Sequence, residues 1–305
     1  MKLGIITDEI SQDFPHALAV AREIGCTGVE LRSLWDTGLY ELSSSRVRTV
    51  RALLDEHALE CYNIAGPVFK CDLASQREIA QHFDILKRCC DAAHELGAPN
   101  VRAFTFWREP SAPVETVWGR IVELVARAAE VAAEAERTLA IENEHDTYVG
   151  GGRMLARLFD EVEPDNVRAI WDPANVVFDP DAEPPYPEGF EAVRERLALC
   201  HIKDAAPAGK SAKCVPVGEG DAMLAELLAR LTRDAYAGYL SLETHWRPEG
   251  ELDEQTLRMP GGQAFSAGPA EGLGGAEAAS RICMANLRRL LDEKTDTPTH
   301  GGTTQ

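Results

Sequence analysis

The chain has no long hydrophobic run. No stretch approaches the ~20 apolar residues of a membrane-spanning helix. Basic residues are scarce: 31 Lys and Arg stand against 50 Asp and Glu, for a formal net charge of -19. A nucleic-acid surface requires clustered Lys and Arg, and attraction to anionic lipid requires them too. Neither partner is expected. The eight cysteines include no CxxC pair, and Cys89 and Cys90 are adjacent within a helical pattern. They read as reduced, structural thiols. Met1–Glu9 reaches acidic residues after a very short apolar run, unlike a secretory signal. A cytoplasmic location is therefore expected. A GxGxxG turn after the first strand is also missing, which weighs against a doubly wound open sheet, the second-best architecture.

Apolar residues make up 45% of the 305 positions, enough for a sizeable core. Short apolar runs alternate with helical patterns along the chain. The strands are read at Leu3–Thr7, Gly28–Arg32, Leu59–Ile64, Asn100–Phe106, Leu139–Glu142, Val167–Asp172, Leu197–His201 and Tyr239–Glu243. Between them lie helical segments such as Ser75–Leu96, which stops at Gly97, and Pro113–Arg137. Ser44 or Ser45 is read as the cap of the second helix and Asp221 as the cap of the seventh. Gly66-Pro67 is read as a turn after the third strand. Eight alternating βα units predict an α/β fold, a closed (β/α)8 TIM barrel. Residues 1–293 would form that single domain. Within it, 247–275 is read as an extended loop, a lid or contact segment. Residues 294–305 are read as a disordered tail.

In a parallel barrel all strand C-termini open on one face, where chemistry is placed. Four consecutive strands end in plausible metal ligands: Glu142, Asp172, His201 and Glu243. Neighbouring strands are ~4.8 Å apart, so these side chains can converge on one ion. Three carboxylates and an imidazole suit a divalent cation, with Mn²⁺, Mg²⁺ or Co²⁺ favoured and Zn²⁺ compatible.

The segments Ile141-Glu142-Asn143, Trp171-Asp172-Pro173-Ala174-Asn175, Cys200-His201-Ile202-Lys203-Asp204, Val217-Gly218-Glu219-Gly220-Asp221 and Ser241-Leu242-Glu243-Thr244-His245 together resemble the sugar phosphate isomerase/epimerase superfamily, the xylose isomerase-like TIM barrels. That group includes ketose 3-epimerases, inosose dehydratase-like proteins and endonuclease IV. The resemblance implies one divalent metal held by Glu142, Asp172, His201 and Glu243, with the two glutamates also acting as acid and base. It implies a sugar isomerase or epimerase working next to a carbonyl through a metal-stabilised enediolate. The alternative is an inosose- or dehydroshikimate-type dehydratase on the same scaffold. An endonuclease IV-like nuclease is disfavoured, because the extra histidines such an activity needs are missing. A non-catalytic sugar-binding barrel would not need the glutamate pair. The implied partner is a small-molecule sugar or polyol-derived ketone, and members of the group often form homodimers.

Several members carry a substrate-contacting histidine three residues after the sixth-strand Asp. Here that position is Asn175, which hydrogen-bonds but does not titrate near neutral pH. Further candidates for substrate contact are Lys203, Asn63, Glu30, Arg32, Trp107 and His145. For Lys203 the structural alternative is a salt bridge to Asp204. Asn143 is read as orienting the site, and the Gly218–Asp221 stretch as a loop-forming turn.

Overall fold

The computed structural model describes residues 1–179, 182–209, 211–248 and 275–295. Eight strands close a barrel: β1 (Lys2–Ile6), β2 (Gly28–Leu31), β3 (Glu60–Val68), β4 (Asn100–Ala103), β5 (Thr138–Glu142), β6 (Val167–Trp171), β7 (Leu197–Ile202) and β8 (Tyr239–Leu242). Each pairs in parallel with its sequence neighbours, and β1 closes onto β8. The helices around it are α1 (Phe14–Glu23), α2 (Ser44–Glu56), α3 (Gln76–Leu96), α4 (Val114–Glu134), α5 (Gly152–Glu161), α6 (Phe190–Val193), α7 (Leu224–Arg233) and α8 (Ala276–Thr295). This is the (β/α)8 TIM barrel that strand–helix alternation predicts. None of the described helices is long and apolar enough to cross a membrane.

The two-residue period of the strands sorts their side chains. Leu139, Ile141, Trp171, Cys200, Ile202, Leu240 and Leu242 belong to the large core between barrel and helices. The alternate residues Ala140, Ile170, Leu199 and Tyr239 join Tyr62 in a separate cluster that fills the barrel interior. Two residues further along each strand the inward positions turn polar: Glu142, Asp172, His201 and Ser241, with Glu243 beyond. The strands read as apolar runs because one face is buried under helices; their chemistry rides on the other.

The floor of the barrel is a stacked pair, Tyr62 on Tyr239, with ring centroids 3.9 Å apart. Glycines make room for it. A Cβ on Gly4 would lie 2.4 Å from Tyr62 Oη, and one on Gly28 would lie 2.5 Å from Tyr239 Oη and 2.8 Å from the Glu60 carbonyl oxygen.

Several local expectations are corrected. Ser43, not Ser44 or Ser45, caps α2 by accepting from the Arg46 amide. α7 begins after Met223, which has φ +54° and no side-chain cap, so Asp221 is not the cap. The backbone around Asp221 is instead wrapped on Asp204: the amides of Gly218, Gly220 and Ala222 donate to its carboxylate. β3 runs on to Val68 through Gly66-Pro67, and β4 stops at Ala103 rather than Phe106. Ser75 and Gly97 bound α3 as expected. Seven cysteines are buried and Cys214 is half-buried, all of them free thiols. Burial pushes Cys26, Cys61 and Cys71 up to about 12. The loop read at 247–275 and the tail read at 294–305 lie outside the described residues, apart from 247–248, 275 and 294–295.

Gly28→Ala should lower stability by ~1–3 kcal/mol, the usual cost of overpacking. Thermal denaturation checks this; an unchanged melting temperature would show that the floor has room for a methyl group.

Candidate metal centre

The four strand-end residues meet. Among the described residues, Glu142, Asp172, His201 and Glu243 each offer one ligand atom, and these atoms all lie within 4.8 Å of one another. All four are buried. His201 Nδ1 faces Glu142 Oε1 at 3.1 Å, Glu243 Oε2 at 3.4 Å and Asp172 Oδ2 at 4.0 Å. Its other nitrogen, Nε2, faces Glu30 Oε2 at 3.2 Å on the opposite side of the ring.

Local sequence explains how each ligand is presented. Asp172 caps the short helix Pro173–Val177, whose first residue is a proline with φ already suited to a helix. Its Oδ1 accepts the amides of Ala174 and Asn175, at 2.9 and 3.2 Å. That leaves Oδ2 for the cluster. Asn143 joins two strand ends. Its Oδ1 accepts the Asp172 amide at 2.8 Å, and its Nδ2 donates to the Asp172 carbonyl at 2.8 Å. Asn143 is thus the brace that its position suggested.

Cations support the carboxylates. Arg102, inside β4, donates to Glu142 Oε2 at 2.9 Å. Arg32 donates to Glu243 Oε1 at 2.8 Å, and it also pairs with Asp8 and Glu9. Lys203 Nζ lies 2.7 Å from Asp172 Oδ2 and 3.4 Å from Glu243 Oε2. The contact with Asp172 is an ion pair without hydrogen-bond geometry.

Burial alone would raise Glu243. The charges of Lys203 and His245, with hydrogen bonds from His201 and His245, overcome it and hold the carboxyl well below the usual range. Burial wins at Asp172, which is raised despite Lys203, with Glu142 and Glu243 adding to the rise. For His201, burial disfavours the charged ring, but Glu142 and Glu30 outweigh it and keep the ring protonated well above its ordinary range. Lys203 is likewise desolvated, yet Asp172 and Glu243 hold it charged.

The donor set fits a divalent cation. Buried carboxylates (Asp8, Glu9, Glu30, Glu142, Asp172, Glu243) outnumber the buried Arg and Lys side chains among them (Arg32, Arg102, Lys203, Arg247), and the protonated His201 ring supplies further positive charge. Buried negative charge without a counter-charge is expensive. A divalent ion at the four ligand atoms would supply that counter-charge in place of the His201 proton. Hard oxygens with one imidazole suit a divalent cation. Glu9, Glu243 and His245 form a second, smaller gathering beside it.

Other expected site residues fall elsewhere. Glu30 and Asn63 were expected at the pocket wall. Both are fully buried behind His201, where Asn63 Nδ2 donates to Glu30 Oε1 at 2.7 Å. The reason is depth: Asn63 sits mid-strand because β3 continues to Val68. Asn175 is also buried, and its Nδ2 is committed to the Asn143 carbonyl at 2.8 Å. It braces a loop where a substrate contact was expected. Lys203 does not pair with Asp204, whose carboxylate is taken by backbone amides. Arg32 lies at the mouth, 6% exposed, within the carboxylate group. Trp107 is half-buried at the rim, with Lys70 Nζ 5.5 Å from its ring. His145 is stacked on Phe178 and lies 2.9 Å from Glu144.

The sequence does not single out Arg102, Asp8, Glu9 or Lys70, which pairs with Glu144 at 2.7 Å. Arg102 did leave a signal: a charged residue within an otherwise apolar strand. Asp8 and Glu9 follow the first strand just as the ligands follow theirs.

Fold and donor set together define an α/β-barrel protein with a candidate divalent-cation centre at the C-terminal mouth of its barrel. The chain belongs to the xylose isomerase-like TIM barrel family, whose model matches residues 18–261. Among solved structures, an L-ribulose 3-epimerase is similar with a TM-score of 0.73 and 16% identity, covering 99% of each chain. D-allulose 3-epimerase from Methylomonas sp., in complex with D-allulose, gives 0.71 and 15%, covering 96% of this chain and 97% of the other. The probable 3-DHS dehydratase of Bacillus anthracis involved in petrobactin synthesis gives 0.69 and 18%, covering 95% and 98%. At these identities the likeness concerns the fold.

Two outcomes follow. Mn²⁺ or Co²⁺ should raise the melting temperature in a concentration-dependent way, reaching ~2.7 kcal/mol at a hundredfold excess over Kd. Asp172→Asn should weaken that shift, and calorimetric titration should return one ion per chain; equal shifts in both proteins would place the ion elsewhere. Arg102→Ala strands a buried carboxylate and should cost ~3–5 kcal/mol, read as a lower urea midpoint.

Proposed function

We propose that this protein is a divalent-cation-dependent isomerase or epimerase acting on a sugar or a polyol-derived hydroxyketone. One observation carries the reading. Two glutamates, Glu142 and Glu243, flank His201 Nδ1 at 3.1 and 3.4 Å, and each is held by its own buried guanidinium, Arg102 and Arg32. A binding protein needs no such pair of proton-handling groups. The ketose 3-epimerases among its structural neighbours, one of them in complex with D-allulose, support a sugar as substrate. The acidic composition supports a small molecule over a nucleic acid.

When bound at Glu142, Asp172, His201 and Glu243, a divalent cation supplies Lewis acidity to a carbonyl and its neighbouring hydroxyl, making the C–H between them easier to ionise. The residues of this chain do the proton work. Glu243, kept ionised by Lys203, His245 and Arg32, takes the proton from that carbon. Glu142, held by Arg102 on the other side of the cluster, relays a proton taken from solvent to the opposite face. Solvent resets the two carboxyls between turnovers. Arg32 and Arg102 hold both carboxyls in position, so little reorganisation accompanies transfer. Burial at the barrel mouth keeps bulk water from competing.

A lyase is the second reading, and Lys203 favours it. Its ammonium is buried beside Asp172 and Glu243, and such a fixed positive charge can hydrogen-bond and stabilise the negative charge of a departing β-hydroxyl. One of the structural neighbours is a probable dehydratase.

The test is incubation of the cation-loaded protein with ketoses, inososes and dehydroshikimate in D2O. Deuterium entering next to the carbonyl with inversion is the expected result; loss of water establishes the lyase instead. No exchange with any substrate would reject both. Glu142→Gln should slow turnover ~10²–10⁴-fold, the usual worth of a positioned acid or base.

A further inference from the structure

The side of His201 away from the carboxylate cluster is also built. Glu30, on β2, lies inside the barrel with no exposure. Every group around it other than His201 is a donor pointing inward. Asn63 Nδ2 donates to Oε1 at 2.7 Å, and Ser241 Oγ donates to Oε2 at 2.8 Å. Ser241 can spend its proton there because it receives one from Tyr62 Oη, 2.6 Å away. Tyr62 in turn is fixed by its stacking on Tyr239. The polarity of this chain is therefore set from the barrel floor upward. An ionised carboxylate only accepts, so the remaining neighbour, His201 Nε2, must donate to it.

From this we infer that Glu30 is a positioning residue: it anchors the Nε2–H of His201 and so leaves Nδ1 as the nitrogen that exchanges its proton for a cation held by Glu142, Asp172 and Glu243. The inference rests on the cation-site reading above and goes beyond it, since it says which nitrogen is the ligand and why. Three strands cooperate in it. β2 supplies the acceptor, while β3 and β8 supply the donors that keep the acceptor from turning away. A carboxylate hydrogen-bonded behind a ligating imidazole also raises the basicity of the ring, and its loss costs ~10–100-fold in metal affinity. Gln at position 30 keeps the shape and one accepting oxygen but loses the charge. Ala loses both.

The experiment uses ¹¹³Cd²⁺ as probe with ¹⁵N-histidine-labelled full-length protein. In the wild type, cadmium coupling is expected at His201 Nδ1, with a proton retained on Nε2. Coupling at Nε2 would overturn the inference while leaving the cation site standing. Mn²⁺ titration of the variants is the second arm, with circular dichroism to confirm the fold. Glu30→Ala should bind ~10–100-fold more weakly, and Glu30→Gln should recover part of the loss. Wild-type affinity in Glu30→Ala would reject the positioning role alone. Failure of the wild type to bind either ion would reject the cation site, and this inference with it. Should neither variant fold, the wild-type coupling pattern decides the question by itself.

Discussion

His201 is held between two groups of carboxylates inside a closed barrel, and the arrangement of the mouth follows from that burial. An imidazole facing Glu142, Asp172 and Glu243 on one edge and Glu30 on the other cannot be placed without counter-charges. Arg32, Arg102 and Lys203 supply them, each from a different strand or strand end. The protonated His201 ring adds a charge of its own. A divalent ion that takes the place of the His201 proton keeps these carboxylates balanced, which is the physical reason the centre suits one. Buried groups of like charge would otherwise separate.

Rigidity at the mouth comes from side chains that are spent on backbone. Asn143 ties β5 to β6, and Asn175 returns a bond to the Asn143 carbonyl. Asp204 gathers the amides of Gly218, Gly220 and Ala222, so the loop after the hairpin Asp204–Ala208/Ser211–Val215 is folded around a single carboxylate. Burial raises this carboxyl even though those amides favour its charged form. These residues touch no ligand atom, yet they determine where the loops carrying Asp172 and Lys203 can lie. Below them, Tyr62 and Tyr239 seal the barrel and set the direction of the hydrogen bonds that reach Glu30.

Much of the site was legible along the chain, for a simple reason. A strand buried on its outer face reads as an apolar run, and the first polar residues past it mark its C-terminal end. Asp172 and Glu243 follow their strands directly, Glu142 and His201 lie in the last two residues of theirs, and the structure brings all four together. Arg102 was overlooked because it lies inside a strand, where a lone charge has no visible partner in one dimension. Glu30 and Asn63 were placed at the wall for the opposite reason. Strand ends were judged by neighbouring residues, whereas β3 continues four residues further and lowers Asn63 into the interior.

By itself, then, the order of residues determined the alternation of strands and helices, the closed parallel barrel and the end of the barrel at which the carboxylates emerge. Period and propensity act locally, and eight repeated units leave few ways to close a sheet. Which carboxylate faces which cation was decided only in three dimensions. Arg32 meets Glu243 and Glu30 meets His201 across the barrel, between residues 211 and 171 positions apart in the chain. Such pairings depend on the stagger of strands around the barrel and on the depth of each residue along its strand. Neither quantity is written in local sequence.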